Sequence, residues 1–170
     1  MVDFLWASHS HSNPIRGIIF DWGRTLFDRE RNELFSGVPA LLRRLSPTHR
    51  LAVVSLCPVE DIIRRLEVMR AAAILELFDV VVFCEANKDS MYEAVLRRWH
   101  GLSPQNVCIV DDRARRGVAW GNKMGCWTVW VRRGKFSAEV PDVSTGRPSA
   151  TIESIEDILM ALPSEQRQAA

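Results

Sequence analysis

The alternation of short apolar runs with helix-like segments is the feature that most constrains the fold of this chain. Five runs are rich in Val, Ile and Phe and are apolar nearly throughout. They are IRGIIFD (15–21), LAVVSLC (51–57), FDVVVFC (78–84), NVCIVDD (106–112) and CWTVWV (126–131). This composition is typical of strands that are covered on both faces. The pattern therefore predicts a parallel sheet between two layers of helices.

Helical spacing of apolar residues occupies the segments between and after these runs. The helical segments are 36–45 with Pro39 in its first turn, 60–73, a stripe through Tyr92, Leu96 and Trp99, 114–124, and 155–162. The polar stretch 132–150 is expected to form a loop. Strand and helix in regular alternation predict an α/β fold, a three-layer sandwich around a Rossmann-like parallel sheet of five strands.

The length and composition of the chain favour one soluble domain. A domain commonly has about 100 to 200 residues, and the chain has 170. We expect a flexible leader over 1–14, a single α/β domain over 15–163 and a tail over 164–170. The net charge of +1 indicates neither nucleic acid nor a membrane as a partner. Four widely spaced cysteines without a CxxC pair, and a start without signal-peptide features, predict a reduced, cytoplasmic protein.

Polar residues close several of the predicted strands. In parallel sheets of this kind, ligands bind at the carboxyl ends of the strands. Asp21 ends the first strand, Ser55 lies near the end of the second, and Asp111 and Asp112 end the fourth. Lys88 follows the third strand, at a predicted helix start. We expect three carboxylates, one hydroxyl and one ammonium group to converge at one edge.

Each of these residues also has a purely structural interpretation. Asp21 can serve in a turn or cap, and the Asp111–Asp112 pair can cap the helix that follows it. Ser55 can satisfy backbone groups at a strand end, and Lys88 can be a solvated helix lysine.

The residues, in this order, resemble the haloacid dehalogenase superfamily of hydrolases. The first motif, hhhDxDx[TV], is similar to IIFDWGRTL at Asp21 and Thr25. The second, a Ser or Thr at a strand end, corresponds to Ser55, and the third, a lysine that begins a helix, to Lys88. The fourth, an acidic pair after a strand, corresponds to Asp111 and Asp112. The resemblance spans 15–162.

The resemblance implies a role for each matched residue. Asp21 would be the nucleophile that forms a covalent intermediate, later hydrolysed by water. Ser55 and Lys88 would hold a phosphoryl oxygen. Mg²⁺ would be bound by the carboxylates of Asp21 and Asp112, by the backbone carbonyl of Gly23, and by Asp111 directly or through water.

The chain departs from the family pattern at two glycines. Gly23 stands where the family's phosphatases carry an aspartate that acts as general acid and base, which is worth about 10² to 10⁴ in rate. Asp28 is one candidate substitute if the loop folds back. Gly117 stands where the family often has a further acid, five residues after Asp112. Asp111, at a position where the family commonly has glycine, is a candidate to compensate for it.

The spacing of the motifs leaves no room for a cap domain, because one helix and its loops fill each interval. An open site of this kind accompanies large substrates or a covering subunit in the family, so a homo-oligomer is one expectation. Arg24, near Asp21, is a candidate to bind an anionic substrate. The run of Arg113, Arg115 and Arg116 either adds to this binding or forms a solvated, partly salt-bridged face.

These features predict a Mg²⁺-dependent phosphatase that works through an aspartyl-phosphate on Asp21, with general acid catalysis weakened by Gly23. Its substrate would be a phosphorylated small molecule or a larger phosphorylated substrate. The alternative is a non-catalytic phosphate-binding or interaction domain that keeps the metal site. A dehalogenase is disfavoured, because family members with that activity usually carry a cap that builds an apolar halide pocket.

Overall fold

The computed structural model describes residues 13–85 and 87–163, so most of the predicted leader and all of the predicted tail lie outside the described residues. The strands are β1 (Gly17–Asp21), β2 (Phe27–Asp28), β3 (Glu33–Leu34), β4 (Arg50–Leu56), β5 (Val80–Cys84), β6 (Val107–Asp111), β7 (Trp127–Val131) and β8 (Ala150–Ile152). The α-helices are α1 (Val38–Leu45), α2 (Val59–Ala71), α3 (Lys88–Arg98), α4 (Ala119–Met124) and α5 (Ile158–Ala161). A π-helical turn, Ala114–Val118, leads into α4.

Six parallel strands form the central sheet in the order β5-β4-β1-β6-β7-β8. The α/β class and the parallel sheet are as predicted, and all five expected strands are present. The count of five was too low by one, because β8 continues the sheet beyond β7. A strand of three residues is too short for an apolar period to mark it, and only pairing with β7 identifies it. The strands β2 and β3 form a separate antiparallel hairpin.

Helices cover both faces of the sheet, as a sheet with apolar residues on both sides requires. Ile18 and Phe20 on β1 pack in the core cluster that includes the buried residues of α1, α2 and α5. Ile19, between them, packs in the cluster that includes the buried residues of α3 and α4. The successive side chains of β1 thus point to opposite layers, and the molecule is the predicted three-layer sandwich.

The path of the chain creates a crevice at the carboxyl ends of β1 and β6. From β1 the chain continues to β4 and β5 on one side, then crosses to β6 on the other side of β1. Such a reversal is the usual ligand position in open α/β sheets. Phe20 pairs with Val110, so the residues that follow them, Asp21 and Asp111, end neighbouring strands.

The connections that might have carried a cap are short. Between Asp21 and Ser55 the chain forms the β2–β3 hairpin and α1, and between β4 and β5 it forms α2 and one 3-10 turn. All four cysteines are free, and Cys57, Cys108 and Cys126 are buried. Within the part of the chain that the structure describes, no helix is both long and apolar enough to cross a bilayer.

Candidate active site

The carboxyl edge of the sheet brings together the five polar residues at which the sequence predicted a site. Carboxylate oxygens of Asp21, Asp111 and Asp112 lie within 4.8 Å of one another. Asp21, Asp112, Ser55 and Lys88 line one pocket of about 140 Å³. All five side chains belong to residues that are 7% exposed or less. A buried group of this composition is a candidate catalytic centre.

Lys88 lies between two of these carboxylates. It begins α3, after Asn87, whose side chain accepts a hydrogen bond from the backbone N–H of Asp89 at 3.0 Å. Lys88 Nζ donates to Asp21 Oδ1 at 2.5 Å and to Asp111 Oδ2 at 2.7 Å. Burial alone would lower the pKa of Lys88, but the charges of Asp111 and Asp21 outweigh burial and raise this pKa well above its usual value. Lys88 is therefore a buried cation and not a solvated helix lysine.

Asp111 is held by three donors. Besides Lys88, the Tyr92 hydroxyl donates to Asp111 Oδ2 at 2.8 Å, and the Arg113 backbone N–H donates to Asp111 Oδ1 at 2.8 Å. From the sequence, Tyr92 was expected only to belong to an apolar stripe of a helix, without a role at the site. Its position four residues after Lys88, on the same face of α3, was the signal that would have connected it with the site. Asp111 is therefore fixed by two donors besides Lys88, and with Asp21 it holds the Lys88 ammonium.

Asp111 also occupies the space that a side chain at position 117 would need. A Cβ atom added to Gly117 would lie 2.6 Å from Asp111 Cβ, closer than real Cβ contacts allow. The two departures from the family pattern in the fourth motif are therefore spatially linked. The carboxylate comes from position 111, and glycine at position 117 leaves room for it.

Asp112 carries a buried carboxylate oxygen that lacks a hydrogen-bond partner among the described residues. Its backbone carbonyl accepts a hydrogen bond from Trp130 Nε1 at 3.1 Å. Its Oδ2 atom is buried and has no hydrogen-bond partner among the described residues. Burial, reinforced by the charges of Asp21 and Asp111, raises the pKa of Asp112 to about 8. Burial raises the pKa of Asp21 to about 6, against the opposing effect of Lys88.

These oxygens fit a divalent cation. Mg²⁺ prefers hard oxygen ligands, usually one or two carboxylates, and retains waters. A bound cation would satisfy the buried carboxylate oxygen of Asp112 that has no hydrogen-bond partner among the described residues. A cation beside Asp21 and Asp112 would also offset the repulsion between their charged forms. Asp21 and Asp112 are the residues best placed to hold it. Gly23 lines the same pocket.

The side chain of Arg29 lies beside Gly23, the position at which the family's phosphatases carry an aspartate. A Cβ atom added to Gly23 would meet Arg29 Cδ at 3.3 Å, and Arg29 supplies all of the neighbouring atoms within 4 Å. The other candidate, Asp28, instead accepts hydrogen bonds from the backbone N–H groups of Glu30 and Arg31 in the hairpin turn. Asp28 is therefore not the substitute acid.

Ser55 has a partner that the sequence analysis missed. Its Oγ accepts a hydrogen bond from Arg65 Nη1 of α2 at 2.8 Å and donates to the backbone carbonyl of Leu56 at 3.3 Å. The bond to Leu56 is what a purely structural serine at a strand end would form. The bond from Arg65 links Ser55 to a cationic side chain. No sequence motif marks Arg65, because its proximity to Ser55 depends on how α2 packs.

A second missed arginine holds the loop that carries the first motif. Arg24, which lines the pocket as expected, has a left-handed backbone with φ of 65°. Arg133 donates to the backbone carbonyls of Arg24 at 3.0 Å and of Thr25 at 2.8 Å. Arg133 lies in the segment predicted as a loop, and these bonds stabilise an unfavourable conformation of Arg24.

The arginine run after Asp112 was expected either to help bind an anionic substrate or to form a solvated, partly salt-bridged face, and the structure shows features of both. Arg113 pairs with Glu139 at 3.0 Å, and Arg115 lies 3.7 Å from an oxygen of Asp142. Arg116 lines the pocket, as does Arg113. The run therefore forms a partly salt-bridged face that also contributes positive charge to the mouth of the site.

Comparisons with known proteins agree with this fold. Residues 86–158 match the HAD-hydrolase-like family model. YfnB from Bacillus subtilis, assigned as a HAD-hydrolase and bound to magnesium in its crystal, is 12% identical, with a TM-score of 0.70 over 87% of this chain and 98% of that one. A 2-haloacid dehalogenase from Pseudomonas syringae is 13% identical, with a TM-score of 0.68 over 92% of this chain and 100% of that one.

A HAD phosphatase from Thermococcus onnurineus is 19% identical, with a TM-score of 0.57 over 75% of this chain and 57% of that one. No curated protein sequence matches the chain. At these identities the solved structures establish the fold alone, whereas the family match concerns the sequence itself. Residues 86–158 are thus similar to the HAD-hydrolase-like family, and the described residues have the fold of these solved hydrolases.

Proposed function

We propose that this protein is a Mg²⁺-dependent phosphatase that works through an aspartyl-phosphate on Asp21. The observation that carries the proposal is the placement of Asp21. Its carboxylate accepts a hydrogen bond from Lys88 and lies within 4.8 Å of Asp111 and Asp112, in the crevice where such sheets bind ligands.

The first chemical step is attack by an Asp21 oxygen on phosphorus. A bond forms between that oxygen and phosphorus while the bond from phosphorus to the leaving oxygen breaks. Water then hydrolyses the acyl phosphate, releasing phosphate and the free Asp21 carboxylate. Lys88 and Ser55 hold the phosphoryl oxygens, and Lys88 also lessens the repulsion between Asp21 and the incoming anion. Arg24 adds positive charge at the pocket.

Asp21, Asp112 and the backbone carbonyl of Gly23 are the proposed ligands of Mg²⁺. Asp111, whose oxygens already accept from Lys88, Tyr92 and Arg113, would act through water or by orienting Lys88. Bound Mg²⁺ would neutralise phosphate charge and orient the phosphoryl group for in-line attack.

The leaving group receives no proton from position 23. Glycine has no acidic side chain, and the neighbouring Arg29 supplies a guanidinium group in place of a carboxylic acid. Alkyl phosphate esters, whose alkoxide leaving groups need a proton, would therefore be poor substrates, and acyl or aryl phosphates would be better ones.

The alternative function is a phosphate-binding or interaction domain without catalysis, and Gly23 is the observation that favours it. Dehalogenation is disfavoured, since the described residues between Asp21 and Ser55 hold only a hairpin and one helix. The mouth of the pocket is open, which favours a large phosphorylated substrate or a covering copy of the chain. A cytoplasmic location is part of the proposal.

Hydrolysis of para-nitrophenyl phosphate, with and without Mg²⁺, tests the function. We expect metal-dependent turnover that falls at least about 10⁴-fold in Asp21→Asn, as the loss of a nucleophile does in other enzymes. Asp28→Asn, in the same loop but engaged in the hairpin turn, is the matched control and keeps its activity. Turnover no higher than that of Asp21→Asn across a panel of aryl and acyl phosphates would favour the non-catalytic alternative.

A further inference from the structure

A second cleft, of about 160 Å³, lies between the β2–β3 hairpin and α2. Trp22 and Phe27 line it, and their rings stack with centroids 5.3 Å apart and planes inclined by 16°. Its charged lining residues are three arginines and one aspartate: Arg29, Arg64, Arg65 and Asp61. The cleft therefore combines an aromatic wall with an excess of positive charge.

This cleft adjoins the candidate active site through two of its arginines. Arg29 lines both the cleft and the pocket that contains Asp21. Its side chain lies against Gly23, at the place from which the family's acid would reach a leaving group. Arg65 lines the cleft and donates to Ser55 in the pocket. The cleft therefore adjoins the pocket in which the bond to the leaving group would break.

Arg64 completes the far side of the cleft. Its Nη2 donates to Asn32 Oδ1 of the hairpin at 2.7 Å, which joins α2 to the hairpin across the opening. Asn32 has a left-handed backbone, φ 59°, that asparagine tolerates better than most residues. Arg64 lines the cleft and is not among the residues that line the pocket of Asp21. Its substitution therefore tests the cleft separately.

We propose that this cleft binds a planar leaving group that carries a negative charge of its own, as in a carboxyaryl phosphate. The proposal rests on the proposed phosphatase function. When the bond between phosphorus and oxygen breaks, the electron pair stays on the leaving oxygen, and no acid at position 23 protonates it. Guanidinium groups stabilise such an anion by charge-assisted hydrogen bonds, and they recognise a carboxylate by paired N–H donors. Phe27, which is partly exposed and stacks on the buried Trp22, contacts the planar part.

Two aryl phosphates test the cleft: phenyl phosphate and para-carboxyphenyl phosphate, whose phenols have similar acidity. We expect the carboxylated substrate to have a kcat/KM about tenfold higher, since one charge-assisted hydrogen bond is worth roughly that ratio. In Arg64→Gln the ratio should fall toward one, mainly through a higher KM for the carboxylated substrate. Arg70→Gln, on the same helix but outside the cleft, should keep the wild-type ratio.

Equal kcat/KM values in the wild type, or an unchanged ratio in Arg64→Gln, would overturn the proposal. If neither ester is hydrolysed, the proposed function fails by itself, and calorimetric binding of para-hydroxybenzoate decides about the cleft. Binding that is weakened severalfold in Arg64→Gln, and not in Arg70→Gln, supports the cleft. No binding, or equal binding in both variants, overturns it.

Discussion

The candidate site has an inner and an outer side that are built differently. The inner side consists of Asp21, Lys88, Asp111 and Asp112, which are buried and lie at strand ends or at the first residue of α3. The outer side consists of arginines on loops and on α2, of which Arg29 and Arg64 are exposed. On the inner side Lys88 is paired with Asp21 and Asp111, whereas the outer arginines line the pocket and the cleft.

This contrast indicates which part of the site tolerates change. Removing one partner of a buried ion pair leaves an uncompensated charge and is strongly destabilising, whereas exposed charges contribute little to stability. The inner side is therefore tied to folding as well as to chemistry. In the proposed function, the outer side would determine which molecule the site accepts.

The largest expected effect on stability is that of Lys88→Met. This change leaves Asp21 and Asp111 buried side by side without their shared cation, and we expect it to lower the free energy of unfolding by about 3–5 kcal/mol. Urea denaturation measures this loss. Arg29→Gln on the outer side is the control, with an expected change within about 0.5 kcal/mol. Similar losses in the two variants would contradict the distinction between the sides.

Gly23→Asp changes a residue that lies between Asp21 of the inner side and Arg29 of the outer side. Among the described residues, apart from the two chain neighbours of Gly23, only the flexible Arg29 lies within 4 Å of the new Cβ, so the aspartate fits after a small shift. We expect hydrolysis of glycerol phosphate to rise by about 10² to 10⁴, the usual worth of general acid–base help. Gly23→Asn, of the same size but without an acidic proton, is the control. If the rise starts from almost no activity on any substrate, a repurposed site is favoured. If the rate on glycerol phosphate does not change, the absence of an acid at position 23 is not what limits hydrolysis.

Gly117→Ala tests the packing within the inner side. The added Cβ overlaps Asp111, and we expect a loss of about 1–3 kcal/mol in the free energy of unfolding, the usual cost of overpacking. In Gly117→Asp the loss should be larger, and combination with Asp111→Gly should recover part of it, because the carboxylate then comes from the other position. Thermal denaturation of Gly117→Asp, of Asp111→Gly and of the double variant measures this coupling. Additive effects would show that positions 111 and 117 do not share one space.

The sequence was most informative where the sheet itself sets positions. The apolar runs marked β1, β4, β5, β6 and β7, and parallel strands end at a common edge. Asp21, Ser55 and Asp111 are therefore close in space for a reason that the one-dimensional pattern contains. The short strand β8 escaped prediction, since its place depends on pairing with β7.

Other contacts could not be derived from spacing. Tyr92 lies one turn from Lys88, a spacing that the sequence shows, but Arg29, Arg65 and Arg133 reach the site from a hairpin, a helix face and a late loop. Arginine side chains are long, and no periodic sequence pattern determines where their guanidinium groups lie.

The sequence by itself determined the α/β fold and the inner group of acids, serine and lysine, because strand periodicity and strand ends are local properties that a parallel sheet converts into proximity. The tertiary structure alone decided that Asp111 fills the space beside Gly117, that Arg29 stands against Gly23, and that a cleft rich in arginine adjoins the site. Those features depend on side-chain packing between segments that are distant along the chain, where volume and loop conformation, and not the apolar pattern, set the distances.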